Sequence, residues 1–283
     1  MDRPDRRPNA RMLAPALALL GALAFAGSAF AGCASAPTAT APAETATPAA
    51  VTAPVQLDVS AATTLKKAFA ILAPAFEKAN DAKLVFNYGA SGVLQKQVEG
   101  GAPCDVFASA SPSQVASLVA DGLVSAEATV TFASNTLVLI VPAANPAGIT
   151  SPTDLPKANR LVTGNPATAP HGTKTREFLT GQDLWTVLQP RFVFAENAAQ
   201  TVDYVARGEV DAGFVFGNEV LGNKDVKVVY TVPAGAIKPI RYVAAPIKAG
   251  KNVELATKFV RFLLTPEAQT VLVANGFKPA LAK

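Results

Sequence analysis

Cysteine and histidine are almost missing from this chain: Cys33, Cys104 and His171 are the whole supply in 283 residues. With no Cys/His cluster at ligand spacing, a zinc or haem site built by the protein is not expected. If Cys33 is modified, Cys104 has no disulfide partner. Cys104 follows Gly101-Ala102-Pro103 in an apolar run and reads as a small buried residue rather than a reactive thiol. Charge is sparse as well, with only 16% Asp, Glu, Lys and Arg. Much of the net +4 comes from Arg3, Arg6, Arg7 and Arg11 at the N-terminus. Beyond them Lys and Arg are interspersed with acidic residues, so no basic stripe suggests nucleic acid. Hydrophobic residues, by contrast, make up 50% of the chain. That content excludes global disorder and supports one large domain or two lobes around a substantial core.

The N-terminus has the layout of an export signal: an Arg-rich start, an apolar run from Met12 to Ala26, and small residues leading to Phe30-Ala31-Gly32-Cys33. That ending resembles a bacterial lipobox. Residues 1–32 are therefore expected to be a lipoprotein signal peptide and Cys33 the lipid-carrying first mature residue. An uncleaved membrane anchor is the alternative. From Ala34 to Pro54 the chain is mostly Ala, Pro and Thr with Glu44 as its sole charge, so residues 33–54 read as a flexible tether.

From Val55 onward strands and helices alternate. Val55–Ser60, Lys83–Tyr88 and Asp105–Ala108 read as strands. Leu65–Asn80 carries apolar residues at helical spacing, and Val93–Glu99 and Pro112–Asp121 follow as helices. Asn135–Pro142 is a continuous apolar strand, followed by strands at Arg160–Thr163, Arg191–Phe194, Ala212–Phe216, Val226–Thr231 and Ile240–Ile247. Helices are expected at Thr173–Leu179, Ala198–Arg207, Asn252–Leu264 and Pro266–Asn275. Repeated βα units imply an α/β fold with largely parallel sheets. Crossings near Asn135 and Pro233 divide it into one lobe of residues 55–134 and 234–283 and another of 135–233, with a ligand cleft between them.

Four loops run from a strand end into a helix start: Thr64, Ser91-Gly92, Pro170-His171-Gly172 and Asn197-Ala198. Each helix start offers free N–H groups and a partial positive charge. Any one alone is explained by ordinary N-capping. Together they could hold an anion without Lys or Arg. A hydrolase using Ser91 as nucleophile and His171 as base is the competing class, but Gly89-Ala90-Ser91-Gly92 lacks the Gly-x-Ser-x-Gly spacing of a nucleophile elbow.

SAATTLKKAF (60–69), GASGVLQKQVEGGAPCDVFASAS (89–111), NTLVLIVP (135–142), GNPATAPHGTKTREFL (164–179), AENAAQTVDYVARGEVDAGFVFGNEV (195–220) and the terminal Gly276-Phe277 occur in a telling order. In that order the chain resembles the extracytoplasmic molybdate-binding proteins of ABC-type importers. The resemblance implies the type II periplasmic-binding-protein fold and no catalysis. The ligand it implies is molybdate or tungstate, held through its oxygens with no protein-ligated metal ion and no cofactor; the alternative is the same fold binding another oxyanion or a small organic acid. The resemblance further implies a permease with its ATPase subunit as partners, an extracytoplasmic location and a monomer. Carried over by position, Thr64 stands where a Ser hydroxyl and amide are usual, and Ser91 matches the Ser of the turn. His171 and Ala198 match backbone donors, while Phe216 stands where a Tyr hydroxyl commonly reaches the anion. Either His171 uses its amide with the ring turned outward, or the ring enters the cleft and makes binding pH-sensitive near 6.5.

Overall fold

A computed structural model describes residues 53–280. The expected signal peptide, Cys33 and all but the end of the tether lie outside the described residues. Strand β1 (Val55–Ala62) leads through a 3-10 turn (Thr63–Leu65) into α1 (Lys66–Asn80), then β2 (Ala82–Gly89), α2 (Ser91–Glu99), β3 (Val106–Ser109) and α3 (Pro112–Ala120). Two successive strands, β4 (Val130–Asn135) and β5 (Leu137–Pro142), are separated only by Thr136. There follow β6 (Leu161–Gly164), α4 (Pro170–Thr180), the short α5 (Trp185–Leu188), β7 (Phe192–Ala195), α6 (Ala198–Ala206), β8 (Ala212–Phe216) and β9 (Val226–Thr231). The chain finishes with β10 (Ile240–Pro246), α7 (Val253–Phe262), α8 (Pro266–Ala274) and β11 (Lys278–Pro279).

The strands form two sheets, ordered β11-β4-β10-β3-β1-β2 and β7-β6-β8-β5-β9. The expectation of largely parallel sheets needs correcting. β1 pairs in parallel with β2 and β3, and β6 with β7 and β8, but β5, β10 and β11 pair antiparallel with their neighbours. The βα units give the parallel pairs, because each needs a crossover helix. The chain leaves the first sheet through Thr136 and returns at β10, and the strands on either side of these passages run against their neighbours.

Burial follows the sequence pattern. All six residues of β5 and all five of β8 are buried, as expected for central strands covered on both faces. Helix α1 buries Ala68, Phe69, Leu72, Ala73 and Phe76, one face at helical spacing. Phe259 of α7 meets Phe69 edge-on at 5.7 Å and Phe76 at 5.0 Å, which locks α1 to α7 over the first sheet. Cys104 is buried, and burial raises its thiol pKa, as suits a structural rather than a reactive cysteine.

The parallel pairs have a geometric consequence. β1 and β2 end in register at Ala62 and Gly89, and β6 and β7 end in register at Gly164 and Ala195. Helix starts that follow these four strand ends must therefore lie at one end of each sheet.

Candidate functional site

The two sets of helix starts meet across a single small cavity. Thr64, Ser91, His171, Ala198 and Phe216 all line it, with Ala62, Asn197 and other small neighbours. Every one of the five is less than a tenth exposed. No Lys, Arg, Asp or Glu lines the cavity. Elsewhere among the described residues, no group of three or more His, Cys, Asp and Glu is placed to hold a metal ion.

Each wall is built by local sequence. Ser91 is the first residue of α2, two residues ahead of the helix start expected at Val93. Its Oγ accepts from Ala110 N–H at 3.0 Å, so its own proton is free to point elsewhere. Helix α4 starts at Pro170 rather than Thr173, because proline suits the first helical position, where its missing N–H costs nothing. His171 and Gly172 thus sit in the first turn. Asn197 caps α6 by accepting from Gln200 N–H at 3.1 Å, leaving Ala198 N–H directed away from the helix. The N–H groups of Thr64, Ser91, His171 and Ala198 make no backbone hydrogen bond outside their own helices among the described residues, and their first-turn positions have no partner within them. Four helix starts with free donors give a positive potential made of neutral groups.

Thr64 Oγ1 is buried and has no hydrogen-bond partner among the described residues. Its backbone carbonyl is held by Asn218 Nδ2 at 2.9 Å, and Asn218 Oδ1 accepts from Asn135 Nδ2 at 2.8 Å. Asn218, just beyond β8 of the second sheet, thus ties that sheet to Thr64 and to Asn135 at the end of β4 in the first. Gly92 N–H also donates to Thr168 C=O at 2.8 Å across the cleft. Glycine is required there, since a Cβ at Gly92 would lie 2.6 Å from that oxygen. Asn135, Asn218 and Thr168 were not expected from sequence, although all three fall inside stretches that carry the resemblance.

Of the two orientations open for His171, the ring is not turned outward: it is 2% exposed, meets Phe216 edge-on at 6.1 Å, and places Nε2 3.1 Å from Thr201 Oγ1. Thr201 directs its own proton to Asn197 C=O at 3.1 Å, so Nε2 carries the ring proton and donates it. Desolvation lowers the ring pKa to about 4, so the inward ring is neutral at mildly acidic pH and adds no charge near pH 6.5. Ser91 Oγ accepts from Ala110 N–H and His171 Nε2 pairs with Thr201 Oγ1, so these two side chains are not paired with each other here.

Two α/β lobes joined by crossing strands, closed over a small cavity of neutral donors, define a two-lobed binding protein. The sequence pattern of the bacterial extracellular solute-binding proteins matches residues 57–278, and the chain belongs to that family. YvgL of Bacillus subtilis, provisionally named an ABC transporter substrate-binding lipoprotein, is 32% identical over 224 residues, covering 79% of this chain and 86% of its own. The molybdate-binding protein ModA of Escherichia coli is 29% identical over 228 residues, covering 78% and 88%. The periplasmic molybdate-binding protein of Azotobacter vinelandii superposes with a TM-score of 0.70 at 27% identity, covering 80% of this chain and all of that one.

Proposed function

We propose that this protein captures molybdate, and tungstate with it, and delivers the anion to a membrane permease driven by an ATPase subunit. The observation that carries the reading is the cavity itself: free helix-start N–H groups and the hydroxyls of Thr64 and Ser91, with no charged side chain. Neutral donors fixed by the fold suit a small, fully deprotonated dianion, and they avoid the desolvation cost of a buried Lys or Arg. Closure of the lobes excludes water and completes the donor set from both sides. The protein performs no chemistry on the anion and acts as a monomer. It is held outside the cytoplasm by lipid on Cys33, at the end of the 33–54 tether. The similarity to molybdate-binding proteins supports the choice of ligand. Molybdate and tungstate are alike in size and charge, so both fit.

Calorimetric titration of the soluble domain from Val55 with molybdate, tungstate, sulfate and phosphate tests this. Tight binding of the first two is expected, weakened on the order of tenfold or more in Thr64→Ala and in Ser91→Ala, since a hydrogen bond to a charged acceptor contributes about 1.5–3 kcal/mol. A preference for sulfate or phosphate would reassign the ligand, and wild-type affinity in both variants would displace the site.

A further inference from the structure

The capture of an anion by Thr64 and Ser91 leaves Tyr242 without a role, and its surroundings are unusual. Tyr242 lies on β10, where the ladder with β4 shifts register between Tyr242 and Val243. Such irregularities re-aim side chains beside sites. The residue is 0% exposed, its ring edge-on to Phe216 at 6.2 Å and to Phe277 at 5.0 Å. Its hydroxyl is buried without a hydrogen-bond partner. Among the described residues one other buried side-chain oxygen or nitrogen shares that state, and it is Thr64 Oγ1. Buried polar groups are nearly always paired, so two orphans together call for an explanation.

The two are neighbours. The Thr64 and Asn135 side chains are the hydrogen-bonding groups that face the phenol, although neither reaches good hydrogen-bond geometry with it. Asn135 is already committed: its Oδ1 accepts from Thr136 N–H at 2.8 Å and its Nδ2 donates to Asn218. Asn218 in turn fixes the Thr64 carbonyl. The Thr64 backbone is thus anchored while its hydroxyl is left between the cavity on one side and Tyr242 on the other. Burial keeps the phenol protonated, and therefore a donor, at any physiological pH.

We propose that Tyr242 is a positioning residue for the oxyanion: its hydroxyl donates to Thr64 Oγ1 from behind, so that the single proton of Thr64 is directed at the bound anion. This rests on the oxyanion reading above. A threonine hydroxyl has one proton and two lone pairs, so a donor at its back leaves that proton committed to the cavity. Hydrogen bonds in such a chain also polarise and strengthen one another. The phenol that Phe216 lacks on β8 is thereby supplied at one remove from β10.

Tyr242→Phe deletes only the orphan oxygen. Without anion, the thermal midpoint of Y242F is expected to equal or exceed that of the wild type, because the deleted group has no partner. Molybdate affinity by calorimetry is expected to fall about tenfold. In a Thr64→Ala background, Y242F is expected to cause no further loss. A structural role alone does not give stability and affinity changes of opposite sign, nor a loss that vanishes with Thr64. Unchanged affinity in Y242F, losses that add in the double variant, or a Y242F apo-protein that is destabilised or unfolded would overturn the proposal. Failure of the wild type to bind either molybdate or tungstate would instead overturn the oxyanion reading, and this inference with it.

Discussion

His171 shows how strongly surroundings decide what a residue can do. On paper a lone histidine in a proposed anion site is a pH switch. In the fold it is a neutral donor to Thr201, packed against Phe216, with a pKa depressed to about 4 by burial. The unfolded chain binds a proton on this ring below about pH 6.5 and the folded protein does not, so stability is full above that pH. It is lost as pH falls from about 6.5 towards 4, by on the order of 3 kcal/mol. Glu219, pushed up to about 7 chiefly by burial, slopes the opposite way. Its folded-state pKa is raised, so its contribution is present at acid pH and lost as pH rises towards 7. The His171 contribution is therefore read by difference. Urea unfolding of the wild type relative to His171→Gln is expected to show a stability gap that moves against the wild type between pH 7 and 4, and a constant gap would contradict the buried neutral ring. Ser91 and Thr64 were legible as candidate donors because hydroxyl residues at helix starts have a local meaning. The ring orientation was not, since it depends on Thr201, thirty positions away, and on nothing adjacent in sequence.

At the level of elements, the site is made from helix starts, and the sequence located two of them late. Gly92 and Pro170-His171-Gly172 have the composition of loops, yet α2 begins at Ser91 and α4 at Pro170. In both helices glycine serves close approach. At Gly172 a Cβ would lie 2.0 Å from Gly164 O, where α4 packs on the end of β6, and at Gly92 it would meet Thr168 across the cleft. Such distant contacts leave no trace in local propensity. They do make a prediction about closure. Gly92→Val introduces a side chain where the lobes touch, and overpacking of this kind costs on the order of 1–3 kcal/mol. Anion affinity is expected to drop about tenfold or more, and small-angle X-ray scattering is expected to show compaction on anion binding in the wild type but not in G92V. Wild-type affinity with normal compaction in G92V would show that this contact takes no part in closing the protein.

Across the whole molecule, alternation of apolar strands and amphipathic helices was enough to read the α/β class and the two-lobed fold. The antiparallel strands were harder. β4 carries only two intermediate and four buried residues in a mixed polar sequence, and its direction is set by pairing with β10, more than a hundred residues later. What the two sheets achieve together is the convergence of four helix starts from two parallel strand pairs, a positive site assembled without a cation. The most direct test is a crystal structure of the soluble domain grown with molybdate, using anomalous diffraction at the molybdenum edge. One molybdenum peak is expected inside the cavity, its oxygens within hydrogen-bond distance of the Thr64 and Ser91 hydroxyls and of the His171 and Ala198 N–H groups. A peak elsewhere, or an anion held by Lys or Arg, would contradict the account.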